Sequence, residues 1–142
     1  MDEESKKRLY ELVQMTGELV SRSLQAEQII MVETTKSNVY HFENHLHVGG
    51  EFDTRFLDEK RFVKMLKEKD DVELKYIVSM WNNGGVEVPT MHFRELLLEA
   101  SPKNADAIFV VLTEDGKGGF ALGVRTIGWS MPPAKETDTD VE

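Results

Sequence analysis

The chain has 142 residues, 40% hydrophobic and 30% charged, with 26 acidic against 17 basic side chains and a net charge of −9. That length builds one domain with a sizeable core, and the acidic balance repels nucleic acid and anionic lipid. The complete absence of cysteine excludes disulfides, thiolate nucleophiles and thiolate metal sites.

Leu9, Leu12, Val13, Thr16, Leu19, Val20 and Leu24 recur at helical spacing, which predicts an amphipathic helix over Glu4–Leu24. The apolar run Gln28–Thr35 predicts a strand, and the alternating stretch Val39–Val48 a second, joined to the first by a "KSN" turn as a hairpin. After the loop "GGEFDTRF", residues 57–71 predict a helix with Leu57, Phe62, Val63 and Leu66 on its apolar side and Asp58 as its N-cap. Val72–Trp81 reads as a third strand, ended by "NNGG".

A third helix follows in "VPTMHFRELLLEA", capped by Thr90, with Phe93, Leu96, Leu97 and Ala100 inward and Ser101-Pro102 as its stop. "ADAIFVVLT" is nearly all apolar, as for a strand covered on both faces. The turn "EDGKGG" leads to a last strand in "FALGVRTI". Trp81 and Trp129 fall at strand ends, where burial is the common fate of such rings. Residues 1–131 are expected to form one domain and the acidic residues 132–142 a disordered tail. Strands alternating with helices predict a three-layer α/β domain around a mixed five-stranded sheet, with the second and third helices on one face.

The basic clusters Lys6–Arg8 and Lys64–Lys69 are interleaved with or flanked by acids, so they read as solvated helix faces rather than a polyanion site. No apolar stretch reaches the ~20 residues of a membrane span, and the N-terminal residues lack the form of a signal peptide. The expected location is therefore the cytoplasm, with neither nucleic acid nor membrane as a partner.

The element order and one motif carry a family resemblance. Pro89, Thr90, Met91, His92, Phe93 and Arg94, followed by an apolar run, resemble the proline–cysteine–x–x–cysteine–arginine helix start of cytidine deaminases. Thr90 and Phe93 stand at the two cysteine positions. "HFEN" resembles that family's sugar-binding asparagine–x–glutamate–asparagine stretch, with Glu43 and Asn44 matching and His41 at the first position. "LDE" resembles the opening of the second helix, with Glu59 at the place of the proton-moving glutamate and Leu57 at the place of a metal ligand.

The resemblance implies a cytidine-deaminase-like fold without its metal chemistry. Zinc deaminases hold their ion with His or Cys and two further Cys, and two thiolates largely secure it. Thr90, Phe93 and Leu57 do not replace them, so no cofactor is expected. It also implies a ligand pocket at Glu43, Asn44, Glu59, Thr90 and Arg94, suited to a small anionic or nucleoside-like ligand. A homo-oligomer is expected as well.

Simpler readings stand beside these. Glu59 is explained by the helix dipole, which favours a first-turn acid by roughly 0.3–1 kcal/mol. Arg94 is either an anion clamp with His92 at a helix start or a surface partner of Glu95 or Glu99. A different class of function rests on His41, His45 and His47, which share one strand face. Alternate strand residues lie ~6.6 Å apart, so His45 and His47 can converge on one metal ion with a carboxylate such as Glu51 or Asp53. A solvated strand face accounts for the same histidines. "EDGKGG" lacks the spacing of a phosphate loop and reads as a hairpin turn.

Overall fold

A computed structural model describes residues 1–23, 27–44 and 55–132. Over these the chain runs α1 (Glu3–Arg22), β1 (Gln28–Thr34), β2 (Val39–Asn44), α2 (Arg55–Glu68), β3 (Leu74–Trp81) and α3 (Met91–Ala100). A 3-10 turn (Pro102–Asp106), β4 (Ile108–Glu114), β5 (Phe120–Thr126) and α4 (Ile127–Ser130) complete it. The strands form one mixed sheet in the order β2-β1-β3-β4-β5. β1 is antiparallel to both β2 and β3, β3 and β4 are parallel, and β4 and β5 are antiparallel. The parallel pair requires a crossover, which α3 supplies.

Two cores flank the sheet. On one face Leu9, Leu12 and Val20 of α1 pack on Ile29, Met31, Tyr76, Val78, Met80 and Val110. On the other, Phe62, Val63 and Leu66 of α2 with Phe93 and Leu97 of α3 cover Ile30, Val32, Ile77 and Phe109. The three-layer α/β/α arrangement and the shared face of the second and third helices are thus as expected. β1 is buried at every residue because it is central and covered twice.

Several local expectations change. α2 begins at Arg55, so Asp58 lies in its first turn instead of capping it. Leu57 is half exposed because it falls outside the stripe that meets the sheet. β4 is covered on both faces only in its first half. α1 packs mainly on β1 and β3, which leaves Leu112 exposed. The last strand stops at Thr126, which caps the short helix α4 through its hydroxyl. Trp129 therefore sits on α4 and is 70% exposed, with Arg125 over its ring, whereas Trp81 ends β3 as expected. Gly116 and Gly118 take φ of 78° and 85°, a left-handed backbone that makes "EDGKGG" a hairpin turn. The acidic tail after Pro132 lies outside the described residues, as do His45 to His47, Glu51 and Asp53. Among the described residues no helix is long and apolar enough to cross a membrane.

Asp71, buried before β3, ties the sheet edge to the α2–β3 loop. Its carboxylate accepts from Asn38 Nδ2 at 2.8 Å and from Tyr40 Oη at 2.9 Å. Burial alone would raise its pKa, but the hydrogen bonds of Asn38, Thr34 and Tyr40 together outweigh burial and hold it below the ordinary carboxylate value. A depressed folded pKa adds stability that is present above the unfolded pKa and lost as pH falls through the folded one. Denaturant titrations in the acid range should therefore show a shallower fall of stability with decreasing pH for Asp71→Asn than for the unmodified chain. Parallel curves would contradict this role.

Candidate functional site

The start of α3 is built by Thr90. With φ −60° and ψ 154° it is the N-cap, and its Oγ1 accepts from the backbone N–H of Phe93 at 3.0 Å. The same hydroxyl donates to Glu59 Oε2 at 2.7 Å. A hydroxyl has one proton and two lone pairs, so both bonds form at once. The other oxygen of Glu59, Oε1, lies 3.0 Å from His92 Nδ1. Glu59 is 1% exposed, and α2 begins four residues before it, so it stands in the second turn facing inward. The helix dipole does not explain such a residue. It is a buried carboxylate secured by two partners from the neighbouring helix start, and the contact with its Nδ1 orients the His92 ring.

Phe93 faces inward beside this group and is 1% exposed, its ring centroid 5.6 Å from Phe42 and 6.2 Å from Phe62. Arg94 is also buried. Its Nε donates to Pro89 O at 3.0 Å and Thr90 O at 3.4 Å, and Nη1 donates to Ser130 O at 3.1 Å and Ser130 Oγ at 2.8 Å. The expected surface pairing with Glu95 or Glu99 is replaced by these bonds, because the guanidinium turns inward to the carbonyls that frame the α3 start. Burial lowers the Arg94 pKa from its ordinary value, against an opposing influence of Glu95. Arg94 thus fixes α4 to the beginning of α3.

A second polar group lies on the α2/α3 side of the sheet. Gln28 and Asn44 are cross-strand partners, and Asn44 Nδ2 donates to Gln28 Oε1 at 2.8 Å. Gln28 Nε2 in turn donates to Ser79 Oγ at 3.1 Å and to Glu87 Oε1 at 2.8 Å. Asn44 is fully buried, and its Oδ1 has no hydrogen-bond partner among the described residues. An orphan buried acceptor is uncommon and calls for a donor.

Of the five residues expected to line a pocket, Glu59 and Thr90 are brought into direct contact and Arg94 braces them from behind. Asn44 belongs to the polar row with Gln28. Glu43 is exposed one residue out of phase with Asn44, in a shallow depression that Asp58, Arg61 and Met65 also line. His41 is exposed on β2, and His45 and His47 lie outside the described residues. Among the described residues no group of three or more His, Cys, Asp or Glu side chains is placed to hold a metal. Gln28, Ser79 and Glu87 escaped the sequence reading. The signal was a glutamine opening the otherwise apolar run "QIIMV", on the parity of Ile30 and Val32.

Replacing Thr90 with alanine removes a helix cap and one of two partners of a buried carboxylate. The expected loss is about 2 kcal/mol in urea denaturation, with Thr90→Ser close to the unmodified chain. Equal losses for both variants would contradict the hydroxyl's double role.

The sequence matches no family model and no curated protein. Solved structures do resemble it. Cytidine deaminase from Mycobacterium leprae is 15% identical, with a TM-score of 0.57 over 85% of this chain and 94% of that one. The enzyme from Burkholderia pseudomallei is 16% identical, with a TM-score of 0.56 over 94% and 99%. That from Mycobacterium tuberculosis is 14% identical, with a TM-score of 0.56 over 88% and 95%. With a mixed five-stranded sheet between helical layers, the chain has the cytidine-deaminase-like fold.

Proposed function

We propose that this chain is a non-catalytic module on the cytidine-deaminase scaffold, acting through ligand binding or self-association. The observation that carries the reading is what occupies the α3 start. Thr90, at a position the resemblance gives to a cysteine, offers a hydroxyl already committed to Glu59 and the helix cap. Phe93, at the other, is a ring sealed among Phe42 and Phe62. Leu57 is an exposed hydrocarbon. These donors do not fit zinc, which takes thiolate, imidazole or carboxylate ligands. Without the ion, Glu59 has no bound water to deprotonate, and its buried contacts read as structural.

The ligand-binding part of the proposal rests on Asn44, whose Oδ1 has no partner among the described residues, next to Glu43 in sequence and in the polar row with Gln28 on the α2/α3 side of the sheet. A nucleoside-like ligand would supply the missing donor from a sugar hydroxyl or an exocyclic amine, while Glu59 and Thr90 form the wall braced by Arg94. The alternative metal enzyme built on His45 and His47 gains no support from the described residues.

Two assays on the full chain test this. Cytidine incubated with the chain and added zinc is expected to show no deamination in its ultraviolet spectrum, and turnover would overturn the reading. Titration with cytidine monophosphate is expected to shift the amide resonances of Asn44, Glu59 and Thr90. Unchanged resonances would remove ligand binding and leave self-association.

A further inference from the structure

The two polar groups of the site stand at one end of the sheet. β1 is antiparallel to both β2 and β3, so β2 and β3 end on the same side. Asp71, just beyond α2, bonds Asn38 and Tyr40 around the start of β2, so α2 runs back along β2 and begins near that strand's end. The start of α3 reaches the same place, through the contact of Thr90 with Glu59. Phe42 of β2, Phe62 of α2 and Phe93 of α3 lie in mutual contact. Asn44 is two residues past Phe42, Glu59 three before Phe62 and Thr90 three before Phe93. Each is one repeat of its element toward that end, so all three polar side chains stand over the same aromatic floor.

The hydrogen-bonding capacity left there is of one kind. Glu87 is a carboxylate and only accepts, so the Gln28 amide must turn Nε2 to it, as it does at 2.8 Å. Gln28 Oε1 then faces β2 and holds Asn44 with Nδ2 toward Gln28. The atom left without a partner among the described residues is therefore the acceptor Oδ1, turned away from β1, and no amide flip relieves it. Glu59 has one bond at each oxygen, to the Thr90 hydroxyl and to His92, and no lysine or arginine pairs with it among the described residues. Arg94 is committed instead to Pro89, Thr90 and Ser130. A carboxylate offers about four lone-pair sites, so Glu59 keeps acceptor capacity beside Asn44. A buried carboxylate over an apolar floor, with no permanent cation beside it, favours a positive partner.

We infer that the group this site takes from its ligand is a small organic ammonium, which donates to Asn44 Oδ1 and to Glu59. An ammonium has three donors and no acceptor, the complement of what stands free, whereas a carboxylate or phosphate there would face acceptors. The net charge of −9 adds attraction for a cation. The inference rests on the ligand-binding part of the proposed function and excludes an anionic group at this point of the site.

Benzylamine, benzyl alcohol and benzoate share one body and differ in the charge it carries. Titrating each into the full chain, and reading the amide resonances of Asn44, Glu59 and Thr90, tests the inference. Benzylamine is expected to shift all three with an affinity roughly tenfold or more above that of benzyl alcohol, and benzoate to leave them in place. Glu59→Gln keeps an acceptor for Thr90 and should remove that preference. Asn44→Asp puts a second carboxylate at the orphan position and should tighten benzylamine several-fold, a gain that a misfolded variant does not give. Benzylamine no tighter than benzyl alcohol, or benzoate bound as well as benzylamine, would overturn the ammonium. So would a preference that survives Glu59→Gln and is not raised by Asn44→Asp. If cytidine monophosphate shifts these resonances and benzylamine does not, ligand binding stands and its charge class falls. Silence toward both overturns both.

Discussion

Phe93→Ala is expected to lower the stability of the chain by about 3–5 kcal/mol, read as a reduced midpoint in urea denaturation. Phe93 is fully buried, and its ring closes an aromatic group with Phe42 of β2 and Phe62 of α2, themselves stacked at 4.4 Å. Truncation would open a cavity where α2, α3 and the sheet meet, and rings of this size leave a space their neighbours fill only partly. The effect should extend to the site, because Phe93 N–H is the donor that Thr90 caps. Phe93→Leu, which keeps most of the volume, should lose less than half as much. A loss below about 1 kcal/mol for the alanine variant would mean that this ring does not join the layers.

Asn104→Ala is expected to cost about 3 kcal/mol, although Asn104 is distant in sequence from both polar groups of the site. Its side chain is fully buried in the turn between α3 and β4. Oδ1 accepts from Leu74 N–H at 2.8 Å, while Nδ2 donates to Val72 O at 2.9 Å and Leu97 O at 2.8 Å. One amide thus satisfies the end of α3 and the entry of β3. Alanine would strand three backbone groups, and Asn104→Asp would keep the acceptor but lose both donors. The aspartate variant should therefore also be destabilised, as measured by thermal unfolding. An aspartate variant as stable as the unmodified chain would contradict the assignment.

The fold was legible because its signals were periodic. Leu9, Leu12, Thr16 and Val20 mark the buried side of α1, and the short apolar run "QIIMV" reads as a strand. The helix start at Thr90 was legible as a cap because a threonine followed by an apolar helical period has few other uses. Arg94 was not legible. Nothing in "FRELLLEA" distinguishes an outward arginine from one turned back onto Pro89 and Ser130, and the latter arrives from a helix 36 residues later. The burial of Glu59 was not legible for a similar reason. Its burial depends on α2 starting at Arg55, a boundary that carries no strong cap in the sequence. The outer half of β4 was expected to be covered because apolar residues usually are, whereas α1 packs mainly on β1 and β3 and leaves Leu112 exposed. Trp129 is exposed for another reason, its place on α4 past the end of β5.

The proposed non-catalytic reading rests on Thr90, Phe93 and the Glu59–His92 contact, which stand where the resemblance places metal-binding residues. The most direct test is the zinc content of the untagged protein, measured by elemental mass spectrometry after incubation with zinc and desalting. Far less than one zinc per chain is expected. One tightly held zinc per chain would contradict it, and would make His45, His47 and His92 the first residues to replace.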